Sequence, residues 1–186
     1  MDPTTKTHLD NLWSTDKAIQ NEAFFGIIQA TDQPVDWAYD VWDEMVENLT
    51  HKDNHRRAIA SQLLCNLAKS DPQNRILQDF DALLQVTRDH RFVTARHCLQ
   101  NLWKVGVAGK PHQQMLLDGL QRRFHECITE KNCTLIRYDI IQGLKNLHDQ
   151  LPDDAVHGDT IRQKALALIE TEQDPKYRKK YARVWK

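Results

Sequence analysis

The sequence predicts an all-α fold built from about five pairs of helices. Three observations support this prediction: prolines at regular intervals, a second series of Asp- or Asn-containing turns between them, and apolar residues at helical spacing. Only six of the 186 residues are glycine, and Ala, Leu, Gln, Asp, Lys and Arg dominate the composition. This composition favours helix over strand.

The prolines mark the start of the first helix of each pair, which we call the A helix. Pro3, Pro34, Pro72 and Pro111 are separated by 31, 38 and 39 residues, and Pro152 follows 41 residues later in a loop before another helix. Proline is tolerated in the first turn of a helix and is costly in its interior. The sequence therefore predicts A helices over residues 3–13, 34–49, 72–87, 111–129 and 158–171.

The second series of turns marks the second helix of each pair, the B helix. The turns are "TDK" (15–17), "KDN" (52–54), "RDH" (88–90), "EKN" (130–132) and "QDP" (173–175). Asp and Asn side chains accept hydrogen bonds from the first free backbone N–H groups of a helix. We therefore predict B helices over residues 15–31, 53–69, 90–106, 132–149 and 174–184, with Gly106 ending the third.

Apolar residues follow the period of a helix within these ranges. In the second A helix, Val35, Ala38, Trp42, Met45 and Leu49 recur at alternating steps of three and four. We expect them to face the core. Near the ends of three B helices, pairs of leucines occupy equivalent positions: Leu64 and Leu67, Leu99 and Leu102, and Leu144 and Leu147.

The helix pairs resemble the repeats of HEAT-type (armadillo-like) α-solenoids. The hallmark of that family is an acid at the turn, followed by a hydrophobe–arginine pair near the start of the B helix. "DPKYR" (174–178) matches it well, and "NCTLIR" (132–137) matches with Asn in place of Asp. "DNHRR" (53–57) lacks the hydrophobe, and "DHRFV" (89–93) has its arginine displaced. The first repeat, with Ile19 and Gln20, lacks the arginine.

The resemblance implies a right-handed α-α superhelix that spans residues 1–186 as a single domain. In such solenoids the B helices line the concave surface and the A helices the convex one. A bundle of ten helices without superhelical order is the structural alternative. The motif is loose, so it predicts an architecture and leaves the function open.

Charge is divided unevenly between the two kinds of helix. The B helices with their leading turns carry +11 together, so the rest of a chain of net charge −1 carries −12. The second A helix alone contributes five acids without a base: Asp36, Asp40, Asp43, Glu44 and Glu47. If the B helices line a groove, that groove is basic and attracts polyanions.

This division predicts a non-enzymatic binding or scaffold module whose concave B-helix face recognises an acidic partner. The partner is either an acidic protein segment or a nucleic-acid backbone. The bases expected to pair with carboxylates or phosphates are Arg56, Arg57, Arg91, Arg96, Arg137, Arg178, Lys179 and Arg183. The competing interpretation is structural: in this family, Arg57, Arg137 and Arg178 would pair with turn acids such as Asp53, Asp89 and Asp174.

An enzymatic alternative comes from a distant resemblance to HEAT-like DNA-alkylation-repair glycosylases. These proteins hold DNA in a basic concave groove with aromatic residues and a carboxylate at the damaged nucleotide. Trp103 and Trp185 lie on B helices and are candidates for stacking on bases. No catalytic residue carries over, however, and for Trp103, as for Trp42, core packing is the simpler interpretation. A third hypothesis is a scaffold that binds through Leu9, Leu12 and Trp13 of the first helix.

Motifs for other chemistries are absent from the sequence. It contains no GxxxxGK[ST], GxGxxG or GxSxG motif, so we expect no nucleotide cofactor and no serine nucleophile. "HECITEKNC" (125–133) lacks the paired spacing of a zinc site, and we expect no metal. With no apolar run long enough for a membrane span, no signal peptide and four scattered cysteines, we expect a cytoplasmic protein.

Overall fold

The chain folds into helices, which confirms the all-α prediction. The structure is a computed structural model that describes residues 1–151 and 155–186, the side chains of 155–158 excepted. Its described residues contain no strand, and none of their helices has the length and apolar character needed to cross a membrane. The helices are α1 (Pro3–Asn11), α2 (Lys17–Ala30), α3 (Ala38–Asn48), α4 (Asn54–Leu67), α5 (Ile76–Val86), α6 (Phe92–Asn101), α7 (Lys110–Glu126), α8 (Cys133–Gln150), α9 (Ala155–Glu170) and α10 (Pro175–Ala182).

These helices form two compact units, Met1–Cys98 and Leu99–Lys186. In the first unit, α1 packs against α2 and α3 against α4, while α2 also contacts α4 and α3 contacts α5. In the second unit, α7 contacts α8 and α9, and α10 contacts α8 and α9. Within each unit, therefore, A helices neighbour A helices and B helices neighbour B helices, as stacked helix pairs do. The single domain over 1–186 stays a prediction.

Aspartates cap three of the five B helices. In each case a carboxylate oxygen accepts a hydrogen bond of 2.8 Å from the backbone N–H two residues later; these aspartates are Asp16, Asp53 and Asp174. Asp89 accepts the same kind of bond from the Arg91 N–H, but in the turn that precedes α6. The prediction is wrong for α8, where Asn132 makes no side-chain cap. Its backbone, at φ −105° and ψ 20°, is not extended as a capping residue requires.

The prolines mark the helix starts only in part. Pro3 and Pro111 lie in the first turns of α1 and α7. Pro34 and Pro72 instead lie in loops, each four residues before its helix. The Pro34 loop is held by a hydrogen bond, in which the Val35 backbone N–H donates to the Ser70 hydroxyl at 2.9 Å. Pro152, predicted to lie before another helix, falls outside the described residues.

The predicted apolar stripes form the core. Trp42 and Met45 are fully buried, Ala38 and Leu49 are nearly so, and Val35 at the start of the stripe is half-buried. The leucines that recur in the B helices are at most 1% exposed: Leu64, Leu67, Leu99, Leu102, Leu144 and Leu147. The helical spacing therefore identified the buried faces correctly.

The third B helix does not end at Gly106 as predicted. After α6 the chain continues as a 3₁₀ helix over Leu102–Ala108, and the turn comes at Gly109, whose φ is +147°. Gly106 lies buried inside this segment, where a Cβ would come within 2.7 Å of the Leu147 side chain. Because Gly106 has no side chain, the chain can pack closely against Leu147 at this point. Gly109 supplies the positive-φ backbone conformation that ends the 3₁₀ segment.

Candidate functional site

The eight bases predicted to bind an anion divide equally between the two units, and they occupy three kinds of environment. Two are buried, three are half-buried and three are exposed. The buried pair is Arg57 and Arg137, the half-buried set is Arg56, Arg96 and Arg178, and the exposed set is Arg91, Lys179 and Arg183. Only part of the predicted set is therefore accessible to a partner.

Arg57 lies in an ion pair between successive repeats. Its Nε and Nη2 donate to the two carboxylate oxygens of Asp89, at 2.5 and 3.0 Å, and its Nη1 donates to the carbonyl oxygens of His51 and Lys52. The hydrogen bond to Asp89 raises the pKa of the Arg57 guanidinium further above its usual range. This is the structural pairing that the HEAT-like pattern implies for Arg57.

Arg137 makes an equivalent contact in the second unit, with a partner that the sequence did not identify. Its Nη1 donates to the Glu172 carboxylate at 2.9 Å, and its Nε donates to the Phe124 carbonyl oxygen at 3.0 Å. The guanidinium also lies 4.7 Å from the centroid of the Phe124 ring. The acid expected here was Asp174, whose carboxylate instead caps α10.

Glu172 connects three parts of the second unit. Besides the ion pair to Arg137, its carboxylate accepts a hydrogen bond from the backbone N–H of Asp174. Its carbonyl oxygen accepts two hydrogen bonds from the Arg178 guanidinium, at 2.6 and 2.8 Å. Arg178 thus binds backbone and not a neighbouring acid. Glu172 lies outside the turn motif, so no sequence pattern points to it.

The other bases lie on or near the surface. Arg56 stacks on the Trp13 ring at 5.0 Å, and Arg96 lies 6.0 Å from the centroid of the Phe92 ring. Arg91 is exposed at the start of α6. In the second unit, the C-terminal segment presents five exposed bases: Lys176, Lys179, Lys180, Arg183 and Lys186. Each unit therefore keeps its own accessible positive charge.

A groove of about 360 Å³ lies on the B-helix face of the first unit, where α2, α4 and α6 meet. Phe25 and Val93, on opposite sides of the groove, are 66% and 65% exposed, while Ile59 between them is 8% exposed. The lining contains no carboxylate; its members are Gln20, Asn21, Phe24, Phe25, Asn54, His55, Ala58, Ile59, Gln62, Val93, Thr94 and His97. No sequence pattern points to the apolar residues of this groove.

Polar groups lie at the edges of this groove. Asn21, Asn54 and Gln62 line it with side-chain amides, and His55 and His97 line it with imidazoles. Partial burial and the positive charge of Arg96 lower the pKa of His97. The groove can take up an apolar side chain while amides and imidazoles hydrogen-bond the backbone on either side.

Neither tryptophan proposed for base stacking is fully exposed. Trp103 is half-buried, and its indole N–H donates to the Gln100 carbonyl oxygen at 3.1 Å. Trp185 is also half-buried, with the His148 ring edge-on at 5.3 Å and the Lys145 ammonium 5.9 Å from its centroid. Both rings therefore pack against their own unit.

The acidic residues of the second A helix lie on its solvent side. All five predicted acids there are exposed: Asp36, Asp40, Asp43, Glu44 and Glu47. Arg75, which sequence reasoning did not single out, pairs with Asp43 and stacks on the Tyr39 and Trp42 rings. Trp42 itself is fully buried and donates to Asp79 at 2.8 Å, as core packing predicts.

The end helix α1 keeps little apolar surface free. Leu12 is 1% exposed, and Leu9 and Trp13 are half-buried. The Trp13 indole N–H donates to the Glu44 carboxylate at 2.5 Å. A groove of about 570 Å³ beside this helix is lined by three acids together with a lysine. The geometry therefore favours the α2–α4–α6 groove as a binding surface over a hydrophobic surface on the end helix α1.

All four cysteines are free thiols. Cys65 and Cys98 are fully buried, as predicted for core thiols, while Cys127 and Cys133 meet at the turn between α7 and α8. In the part of the chain that the structure describes, no three His, Cys, Asp or Glu side chains gather as metal ligands.

Comparison with known proteins shows the fold and nothing more. No protein-family model and no curated protein matches the sequence. The fold is similar to those in three crystal structures of engineered proteins, each matched over 99% of this chain. Their identities are 19%, 18% and 19%, their TM-scores are 0.55, 0.52 and 0.50, and the match covers 78%, 47% and 80% of their own lengths. At such identity a shared fold carries no function.

Proposed function

We propose that this chain is a non-enzymatic interaction module that binds an acidic segment of a partner protein through the α2–α4–α6 groove. The observation that carries the proposal is the groove itself, in which three successive B helices present Phe25 and Val93 to solvent around a buried floor. Large apolar side chains exposed around a concavity are typical of sites that anchor a partner's side chain.

The charge around the groove supports an acidic partner. Its lining has no carboxylate, and two bases, Arg91 just before α6 and Arg96 within it, lie within a few residues of Val93 and His97. Bases at the rim of an apolar site select for acidic flanks and repel basic ones. The preferred segment is therefore a bulky apolar residue between aspartates or glutamates.

A protein segment fits this groove better than a nucleic acid. Affinity for nucleic acids comes largely from lysines and arginines that contact phosphates, and the lining has neither. Arg57, one of the bases predicted to bind an anion, is buried against Asp89. The apolar side chains that line the groove favour a peptide as the partner.

We further infer that the helix pairs are HEAT-like repeats and that the module works in the cytoplasm. The pairing of Arg57 with the turn acid of the next repeat supports the first inference. Four free thiols support the second, because reduced cysteines persist in that compartment.

The test selects peptides from a display library in which one large apolar residue is flanked by Asp and Glu. A matched library has Lys and Arg at the flanks. We expect binders from the acidic library alone, with affinity that falls as salt is raised. Phe25→Ser and Arg91→Glu should each weaken the selected peptide about tenfold or more, which corresponds to 1.4 kcal/mol. Lys6→Glu, which changes an exposed charge on α1, is the matched control.

Two further arms separate the alternatives. A short DNA duplex that binds equally well to the native protein and to Phe25→Ser would favour a nucleic-acid interface elsewhere. Release of an alkylated base from such a duplex would favour the glycosylase. Selection of no acidic peptide, or equal binding by Phe25→Ser, would contradict the proposed function.

A further inference from the structure

The turn between α7 and α8 brings two cysteine thiols together. The Sγ atoms of Cys127 and Cys133 are 2.8 Å apart, and a disulfide bond requires about 2.05 Å. Cys127 directly follows α7 as its C-cap and Cys133 begins α8, so the pair closes the turn at its base. The thiols need only a small movement to bond.

Ion pairs already hold the backbone around these thiols. Arg123, which is fully buried, donates two hydrogen bonds to the Glu130 carboxylate across the same turn, at 2.5 and 2.8 Å. Arg137, one turn into α8, donates to the carbonyl oxygen of Phe124 in α7. The two sulfurs are thus kept close by contacts that do not involve the thiols.

The two thiols differ in access. Cys127 is fully buried, whereas Cys133 is half-buried. Burial, with the hydrogen bond and charge of Cys133, raises the pKa of the Cys127 thiol to about 12. An oxidant therefore meets Cys133 first, and Cys127 is placed to resolve the product.

We propose that Cys127 and Cys133 form a reversible redox site, in which exchange with a low-molecular-weight disulfide joins them and locks the α7–α8 turn. The Cys133 thiol loses its proton, and its thiolate attacks one sulfur of the small disulfide and breaks the S–S bond there. The other half leaves as a thiolate and takes up a proton in place of the one that Cys133 lost. The Cys127 sulfur then attacks Cys133 in the mixed disulfide. The second small thiol leaves with the Cys127 proton. The two cysteines lose two electrons, and the small disulfide gains them.

Cys65 and Cys98 provide an internal control. Both are fully buried, and burial raises the pKa of Cys98 well above its usual range. They should stay reduced under conditions that oxidise the turn, because neither thiol is accessible to the small disulfide. The proposal is independent of the α2–α4–α6 groove, so either can fail alone.

The experiment equilibrates the full chain at a series of ratios of reduced to oxidised glutathione, then alkylates free thiols and maps peptides by mass spectrometry. We expect a Cys127–Cys133 cross-link, lighter by two hydrogen atoms, that grows with the oxidised fraction and is reversed by reductant. Cys65 and Cys98 should be alkylated only after unfolding. Amide hydrogen exchange across the turn should be slower in the oxidised protein.

Two variants make the order of events visible. Cys127→Ser should retain a glutathione adduct on Cys133, because the resolving thiol is missing, and Cys133→Ser should form neither the adduct nor the cross-link. Thermal unfolding verifies that each variant folds. If either variant does not fold, the peptide map of the native chain still shows whether the cross-link forms. Thiols at 127 and 133 that stay reduced at the most oxidising ratio, or an adduct at Cys133 that never yields the cross-link, would overturn the proposal.

Discussion

Arg57 and Asp89, 32 positions apart, form a bidentate ion pair between the second and third helix pairs. The Nε–Oδ2 and Nη2–Oδ1 distances are 2.5 and 3.0 Å, and the two side chains are 10% and 5% exposed. Asp89 also accepts the Arg91 backbone N–H in the turn that precedes α6. One carboxylate thus joins two repeats and holds the turn that leads into a helix.

Replacing Arg57 with methionine should lower the free energy of unfolding by about 3 kcal/mol, because the Asp89 charge would stay buried without its partner. Urea unfolding followed by circular dichroism measures this loss. Arg56→Met is the matched control. Arg56 is half-buried and stacks on Trp13, so its loss should be about 1 kcal/mol or less. Equal losses in the two variants would contradict a structural role specific to Arg57.

The Arg57–Asp89 pair should make the free energy of unfolding depend on pH. Burial raises the pKa of the Asp89 carboxyl, but hydrogen bonds from the Arg57 guanidinium and the Arg91 N–H, with the Arg57 charge, lower it more, so the net shift is downward. A folded-state pKa below the unfolded value gives stability that is fully present above the unfolded pKa and is lost as pH falls through the folded pKa.

Asp89→Asn isolates this contribution, since the asparagine side-chain oxygen can still accept the Arg91 N–H without carrying a charge. The difference in unfolding free energy between the native chain and this variant should shrink as pH falls from about 6 to about 3. Urea titrations at several pH values measure it. A difference that stays constant with pH would contradict the assigned direction of the shift.

The helices, their buried faces and three caps could be predicted from the sequence because each depends on residues within a turn of one another. The partner of Arg137 could not. Asp174 was the expected acid, but its carboxylate accepts the Lys176 N–H at the start of α10. With the Asp174 carboxylate at the start of α10, Glu172, two residues earlier, pairs with Arg137. That choice depends on how the loop closes, which spacing does not determine.

Arg137→Lys should lower the free energy of unfolding by about 2 kcal/mol even though charge is conserved. A single ammonium cannot reproduce both the bond to Glu172 and the bond to the Phe124 carbonyl oxygen, and it loses the planar contact with the Phe124 ring. Chemical denaturation measures the loss. Arg183→Lys, at an exposed position, should change stability by less than about 0.5 kcal/mol.

The charge pattern identified bases on the B helices but not the apolar groove between them. Phe25 follows Phe24 in α2, and nothing in its spacing distinguishes a residue that faces solvent from one that packs. Its exposure follows from the placement of α4 and α6, which bury Ile59 and leave Phe25 and Val93 at the rim. Local periodicity does not contain that information.

Phe25→Ala and Phe80→Ala should therefore separate a binding residue from a core residue. Phe80 is 3% exposed, and its truncation should cost about 3–4 kcal/mol through lost burial and a cavity. Phe25 is 66% exposed, and alanine has the higher helix propensity, so its truncation should change stability by less than about 1 kcal/mol. Urea unfolding of both variants measures these changes. A Phe25 variant as unstable as the Phe80 variant would mean that Phe25 supports the fold, and the groove would then lack its exposed anchor.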